Sequence, residues 1–79
     1  MKKEWILNAN IEHEPTRMVM NITMGAGEKK KFYFVNGKWC THKGLPVTKD
    51  TEETLNEVKQ HIDTNGNPFL QPENYRYEN

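Results

Sequence analysis

Cysteine is all but missing from this chain of 79 residues: Cys40 stands alone, so no intramolecular disulfide can staple the fold. Long apolar runs are missing too. No stretch approaches the roughly 18 apolar residues that span a bilayer, and the mean hydropathy is -0.98, so no membrane partner is expected. Met1 to Trp5 leads into polar sequence rather than the apolar stretch of a secretory signal, and a cytoplasmic location is the expectation. There are no internal repeats, low-complexity tracts or interdomain linkers. A chain this short makes one domain, near the size where a single core stabilises a fold by only about 3–5 kcal/mol.

The residue sets that carry chemistry are also thin. A structural zinc takes four ligands. Here Cys40, His13, His42 and His61 lie scattered over different elements without a C-x-x-C or H-x-x-x-H nucleus, so neither metal nor other cofactor is expected. Cys40 and His42 lie two apart and share a strand face, yet no oxyanion nest accompanies them. Gly25-Ala26-Gly27 joins two strand-like runs and precedes no helix, unlike a phosphate loop. Glu12 and Glu14 approach a loop, while Glu52, Glu53 and Glu57 follow a helix surface. The expectation is a chain with no enzymatic chemistry, since a domain this small has little room for a preorganised pocket.

What is present is a hairpin signal. In Lys31-Phe32-Tyr33-Phe34-Val35-Asn36-Gly37-Lys38-Trp39-Cys40-Thr41-His42, Asn-Gly separates two alternating runs. A type I′ turn would set Val35 opposite Lys38, Phe34 opposite Trp39, Tyr33 opposite Cys40, Phe32 opposite Thr41 and Lys31 opposite His42. Trp5, Leu7, Ala9 and Ile11 alternate with polar residues, with Ile6 the one mismatch. Met18, Met20, Ile22 and Met24 form a second alternating run. Leu45 to Thr48, with its proline, could add only an edge strand. Asp50 and Glu53 read as a variant capping box, and Leu55, Val58 and Ile62 form a narrow apolar stripe ahead of Asn65-Gly66, a pair suited to a left-handed cap.

The fold class expected is α+β: an antiparallel sheet of four to five strands in meander order, packed on one face by a single helix at about residues 51–64, then an extended tail. Residues 1–66 would form the domain and 67–79 the tail, partly docked or frayed. Phe69 and Leu70 are its docking residues, and Tyr75 to Asn79 is expected either to pair with an exposed sheet edge or to fray, with fraying beyond Tyr77. The predicted core is Trp5, Leu7, Met18, Met20, Ile22, Phe32, Phe34, Trp39, Leu55, Val58 and Ile62.

Charge is divided along the chain. Residues 1–49 hold nine Lys/Arg against four Asp/Glu, and residues 50–79 hold two against seven, so a zero net charge conceals halves of +5 and −5. Either the halves attract each other in the fold, or each serves a partner. The helix presents Asp50, Glu52, Glu53, Glu57 and Asp63, a face able to enter a basic groove on another protein. Size, missing catalytic residues and polarised charge together suggest a protein-binding regulator or inhibitor of the kind compact phage and mobile-element genes encode. The alternative is nucleic-acid binding through a basic sheet face formed by Arg17, Lys31, Tyr33, Lys38 and His42. A second alternative is a homodimer or structural subunit joined through an open sheet edge.

The run from Lys31 to Trp39 also resembles the hairpin of glycogen-binding modules that accompany starch-acting enzymes and kinase subunits. In that family the tryptophan after the turn stacks on sugar beside a lysine on the same face. The resemblance covers less than a fifth of the chain and a second sugar-stacking tryptophan has no counterpart, so no site residues are carried over.

Overall fold

The computed structural model describes residues 1–70 and arranges them in two layers. A short 3-10 turn at Lys3–Trp5 leads into strands β1 (Ile6–Glu14), β2 (Arg17–Met24), β3 (Lys29–Val35) and β4 (Lys38–Thr41), followed by helix α1 (Lys49–Asn65) and a short strand β5 (Phe69–Leu70). The sheet order is β4-β3-β2-β1-β5, antiparallel throughout. Four strands meander, and α1 carries the chain back across the sheet so that β5 joins outside β1. This is the α+β fold that the hydrophobic patterning implies.

The Asn-Gly turn forms as its chemistry requires. Asn36 and Gly37 have φ of 52° and 79°, the two left-handed positions of a type I′ turn. Val35–Lys38, Phe34–Trp39, Tyr33–Cys40 and Phe32–Thr41 pair accordingly. The further pair of Lys31 with His42 does not form, because β4 ends at Thr41. The Thr41 hydroxyl accepts from the Lys43 and Leu45 N–H groups at 3.2 and 3.3 Å and folds the chain back on itself. Leu45 to Thr48 consequently contributes only an isolated bridge, Cys40 to Pro46. The fifth strand is Phe69–Leu70, at the opposite edge.

In β1 the alternation breaks. Trp5 and Leu7, predicted inside, are 48% and 41% exposed, whereas the mismatched Ile6 is fully buried. The ladder to β2 slips between Ile6 and Asn8, so Leu7 is the extra residue of a β-bulge. One inserted residue reverses parity, which puts Ile6 on the inner face with Ala9 and Ile11. The other predicted core residues lie between sheet and helix as expected: Met20, Ile22, Trp39, Leu55, Val58 and Ile62 are buried, with Met18, Phe32 and Phe34 packed against them. Ile6, Ala9, Ile11, Met24 and Phe69 complete the cluster.

The helix begins two residues before the expected start, and its cap is Thr48 rather than Asp50. Thr48 Oγ1 accepts from the Thr51 N–H at 3.2 Å, while the Asp50 carboxylate is engaged by the Met1 amino group. Thr54, 7% exposed, donates its hydroxyl to the Met1 carbonyl at 2.7 Å. Trp39 Nε1 donates to Asn56 Oδ1 at 2.8 Å and ties β4 to the helix. At the end of α1, Gly66 takes φ 91° and ψ 164° rather than the left-handed helical conformation expected there, a region open to essentially glycine alone.

Beyond Gly66, the Asn67 carboxamide imitates a strand. Its Oδ1 accepts from the Ile11 N–H at 2.9 Å and its Nδ2 donates to the Ile11 carbonyl at 3.1 Å. Phe69 then enters the core and meets the His61 ring edge-on at 4.8 Å. Residues 67–70 are thus the docked part of the expected tail. The remainder, with Tyr75 to Tyr77, lies outside the described residues. No helix among the described residues is long and apolar enough to cross a membrane.

Candidate functional site

Because one helix covers one face of the sheet, the opposite face is left open by the described residues, and strand register determines what it displays. β1 contributes Asn8, Asn10, Glu12 and Glu14, and β2 contributes Thr23, Asn21, Val19 and Arg17. β3 adds Lys29, Lys31, Tyr33 and Val35, and β4 adds Cys40 and Lys38. Val19 is only 2% exposed although it lies outside the core cluster. It sits between Glu12 and Tyr33 in the two ladders and forms the apolar centre of this face.

Arg17 organises the surroundings of Val19. Its Nε donates to Glu14 Oε1 at 2.7 Å, and its guanidinium carbon lies 4.1 Å from the Tyr33 ring centroid. The hydrogen bond to Glu14 raises the Arg17 pKa above its ordinary value, so the cation is retained. On the β1 side, Asn21 Nδ2 lies 3.0 Å from both Asn10 Oδ1 and Glu12 Oε1. Beside the stack is a groove of about 560 Å³, lined by Arg17, Tyr33, Val35, Lys38, Cys40 and His42, with Gly44 and Pro46 as part of its wall. The Cys40 thiol donates to the Tyr33 carbonyl at 3.5 Å. A second trough of about 570 Å³ runs between Asn8, Asn10, Asn21 and Thr23 on one side and Lys29, Lys30 and Lys31 on the other.

Four of the five residues anticipated for a basic face, Arg17, Tyr33, Lys38 and His42, therefore meet in one groove. Lys31 lines the neighbouring trough, two residues along β3 from Tyr33. The sequence reading of this face overlooked Glu12 and Glu14, which belong to β1 rather than to a loop. The signal was available: only Pro15 and Thr16 separate the two runs, and a two-residue connection sets Glu14 opposite Arg17.

The acidic helix is partly neutralised within the chain. Asp50 pairs with the Met1 amino group, Glu57 lies 3.5 Å from Lys3, and Asp63 lies 2.8 Å from Lys59. Glu52 and Glu53 have no ion-pair partner among the described residues. The two charged halves thus meet through Met1 and Asp50 in the first turn of α1 and through Lys3 and Glu57 at its middle.

The scattered thiol and imidazoles converge only in part. Cys40 and His42 line the groove, His13 sits opposite Met18 in the inner row, and His61 abuts Phe69. Among the described residues no three of His, Cys, Asp and Glu gather closely enough to hold a metal ion. Trp39, the residue that the hairpin resemblance would set against sugar, is 3% exposed beneath the helix. Comparisons with protein families, with curated proteins and with solved structures find no match for this chain.

Proposed function

We propose that this chain is a non-enzymatic protein-binding module and that its open sheet face is the contact surface. The observation that carries this reading is the Arg17–Tyr33 stack beside buried Val19. Tyrosine and arginine over an apolar centre, ringed by charged side chains, is the composition of interface hot spots. Glu12 and Glu14 along β1 facing Lys29, Lys31 and Lys38 across the sheet make a polarised pattern that orients a protein partner. Nucleic-acid binding through the same face has less support, because Tyr33, its one aromatic ring among the described residues, already carries a guanidinium that is paired with Glu14. Glu52 and Glu53 on the helix offer a smaller second surface. Joining copies through a sheet edge has less support, because Asn67 and β5 lie along part of β1 and Leu45 with Pro46 along part of β4. A regulator or inhibitor that acts by occupying its target fits this surface.

The test is comparative capture from a lysate with three baits: the native chain, a Tyr33→Ser/Lys38→Glu variant and a Glu52→Lys/Glu53→Lys variant. A partner held by the native and helix variants and lost from the face variant supports the reading. Retention by the face variant and loss from the helix variant moves the contact to α1.

A further inference from the structure

Resting on the reading of the open face as a protein-binding surface, we infer that its occupant is an acidic peptide segment lying extended along β3. Its alternate carboxylates meet Lys29 and Lys31, and a later one meets Lys38.

The first ground is an imbalance in how the charges of this face are used. Its carboxylates are engaged within the chain, Glu14 by Arg17 and Glu12 by Asn21. Its lysines are not. Lys29, Lys31 and Lys38 have no carboxylate partner among the described residues, whereas Lys30, one residue out of phase on the same strand, pairs with Glu28 at 3.3 Å. Among the described residues these cations hold no ion pair from which an acidic partner would have to release them.

The second ground is spacing. Residues two apart on a strand place side chains roughly 6.6–6.8 Å apart, the same repeat as alternate side chains of an extended peptide. Lys29 and Lys31 have this relation on β3, Tyr33 and Val35 follow in the same row, and Lys38 stands across from Val35. The row reads cation, cation, aromatic, apolar with a flanking cation. Its complement is acid-x-acid-x-apolar-x-acid. Half-buried Val35 and Cys40, beside the Arg17–Tyr33 stack, form the floor that would receive the apolar side chain, in the groove of about 560 Å³. A single-stranded nucleic acid could match the charge, but it gains much of its affinity from bases stacked on bare rings. Tyr33 carries Arg17 instead.

The experiment is titration of isotope-labelled protein, followed by amide chemical shifts, with a synthetic peptide of about nine residues bearing glutamate at alternate positions around one leucine. The comparison ligands are a peptide of equal composition with its glutamates in one block and an oligothymidine of equal charge. The alternating peptide is expected to shift amides of β3 and β4 and to bind about tenfold more weakly to Lys31→Glu and to Lys38→Glu. It should bind unchanged to Glu52→Lys. Oligothymidine binding as tightly as the peptide would overturn the inference in favour of nucleic acid. Equal affinity for the blocked peptide would overturn the extended register. If no acidic peptide binds while lysate capture still depends on Tyr33 and Lys38, this inference fails and the protein-binding reading stands. If capture is also indifferent to the face, both fail.

Discussion

Asn56 shows how much a single exposed side chain can matter in a domain this small. Its carbonyl is the acceptor for the indole N–H of Trp39, which is 3% exposed. Truncation leaves a largely buried donor unpaired at a cost of about 1–3 kcal/mol. Asn56→Ala is expected to lower the melting temperature by several degrees in a calorimetric or circular-dichroism melt, while Asn56→Asp, which keeps an acceptor, recovers most of the loss. Asn67 invites a local measurement. Asn67→Ala removes both hydrogen bonds to the Ile11 backbone, so the Ile11 amide should exchange faster with solvent than other β1 amides. Arg17 supplies a prediction of constancy. Its raised pKa favours the charged form, and the ordinary value already lies far above neutrality. Any stability gained is fully present below that value, so the guanidinium's charge should not change between about pH 6 and pH 9.

Among the elements, β1 is the informative one, because its pattern and its structure disagree at one place. The sequence alternates cleanly if Ile6 is set aside, yet the bulge at Leu7 buries Ile6 and exposes its neighbour. Ile6→Ala is therefore expected to cost about 2–4 kcal/mol, enough to unfold much of a marginal domain, whereas Leu7→Ala should change stability by less than about 0.5 kcal/mol. Urea denaturation of the two variants distinguishes them, and equal losses would refute the bulge. The end of α1 makes a similar claim about backbone shape. Gly66→Ala forces a side chain into a conformation that glycine alone adopts readily, a cost of about 1–3 kcal/mol despite open space around the site.

At the scale of the whole molecule, the organising fact is a sheet that the described residues cover on one face only. Its charge division is partly internal, through Lys3–Glu57 and the Met1 amine with Asp50, and partly displayed, through the lysines of the open face. Capture of a partner by the displayed part should weaken as salt rises from about 0.05 M to about 0.5 M, because the screening length between exposed charges falls from about 14 Å to about 4 Å over that range. A partner retained without change at high salt would point instead to exposed apolar side chains such as Trp5 and Leu70.

Much of this architecture could be read from one dimension, because local chemistry carries it. Asn36-Gly37 specifies its own turn, and the turn fixes the pairs that follow. The stripe of Leu55, Val58 and Ile62 marks a helix whatever it packs on. Arg17, Lys31, Tyr33 and Lys38 of the open face were legible for the same reason, since strand parity is a local property, whereas Glu12 and Glu14 were not. Contacts between distant segments were not legible. The bulge at Leu7 lets Ile6 enter the core that α1 completes, and Asp50, inside a helix that Thr48 caps, meets an N-terminus remote in sequence. The fifth strand goes to Phe69–Leu70 because Asn67 and the core-seeking Phe69 tie that segment to β1. Periodicity reports which side of an element is apolar, but where one residue is added or one ligand diverted, packing between segments far apart along the chain sets the outcome.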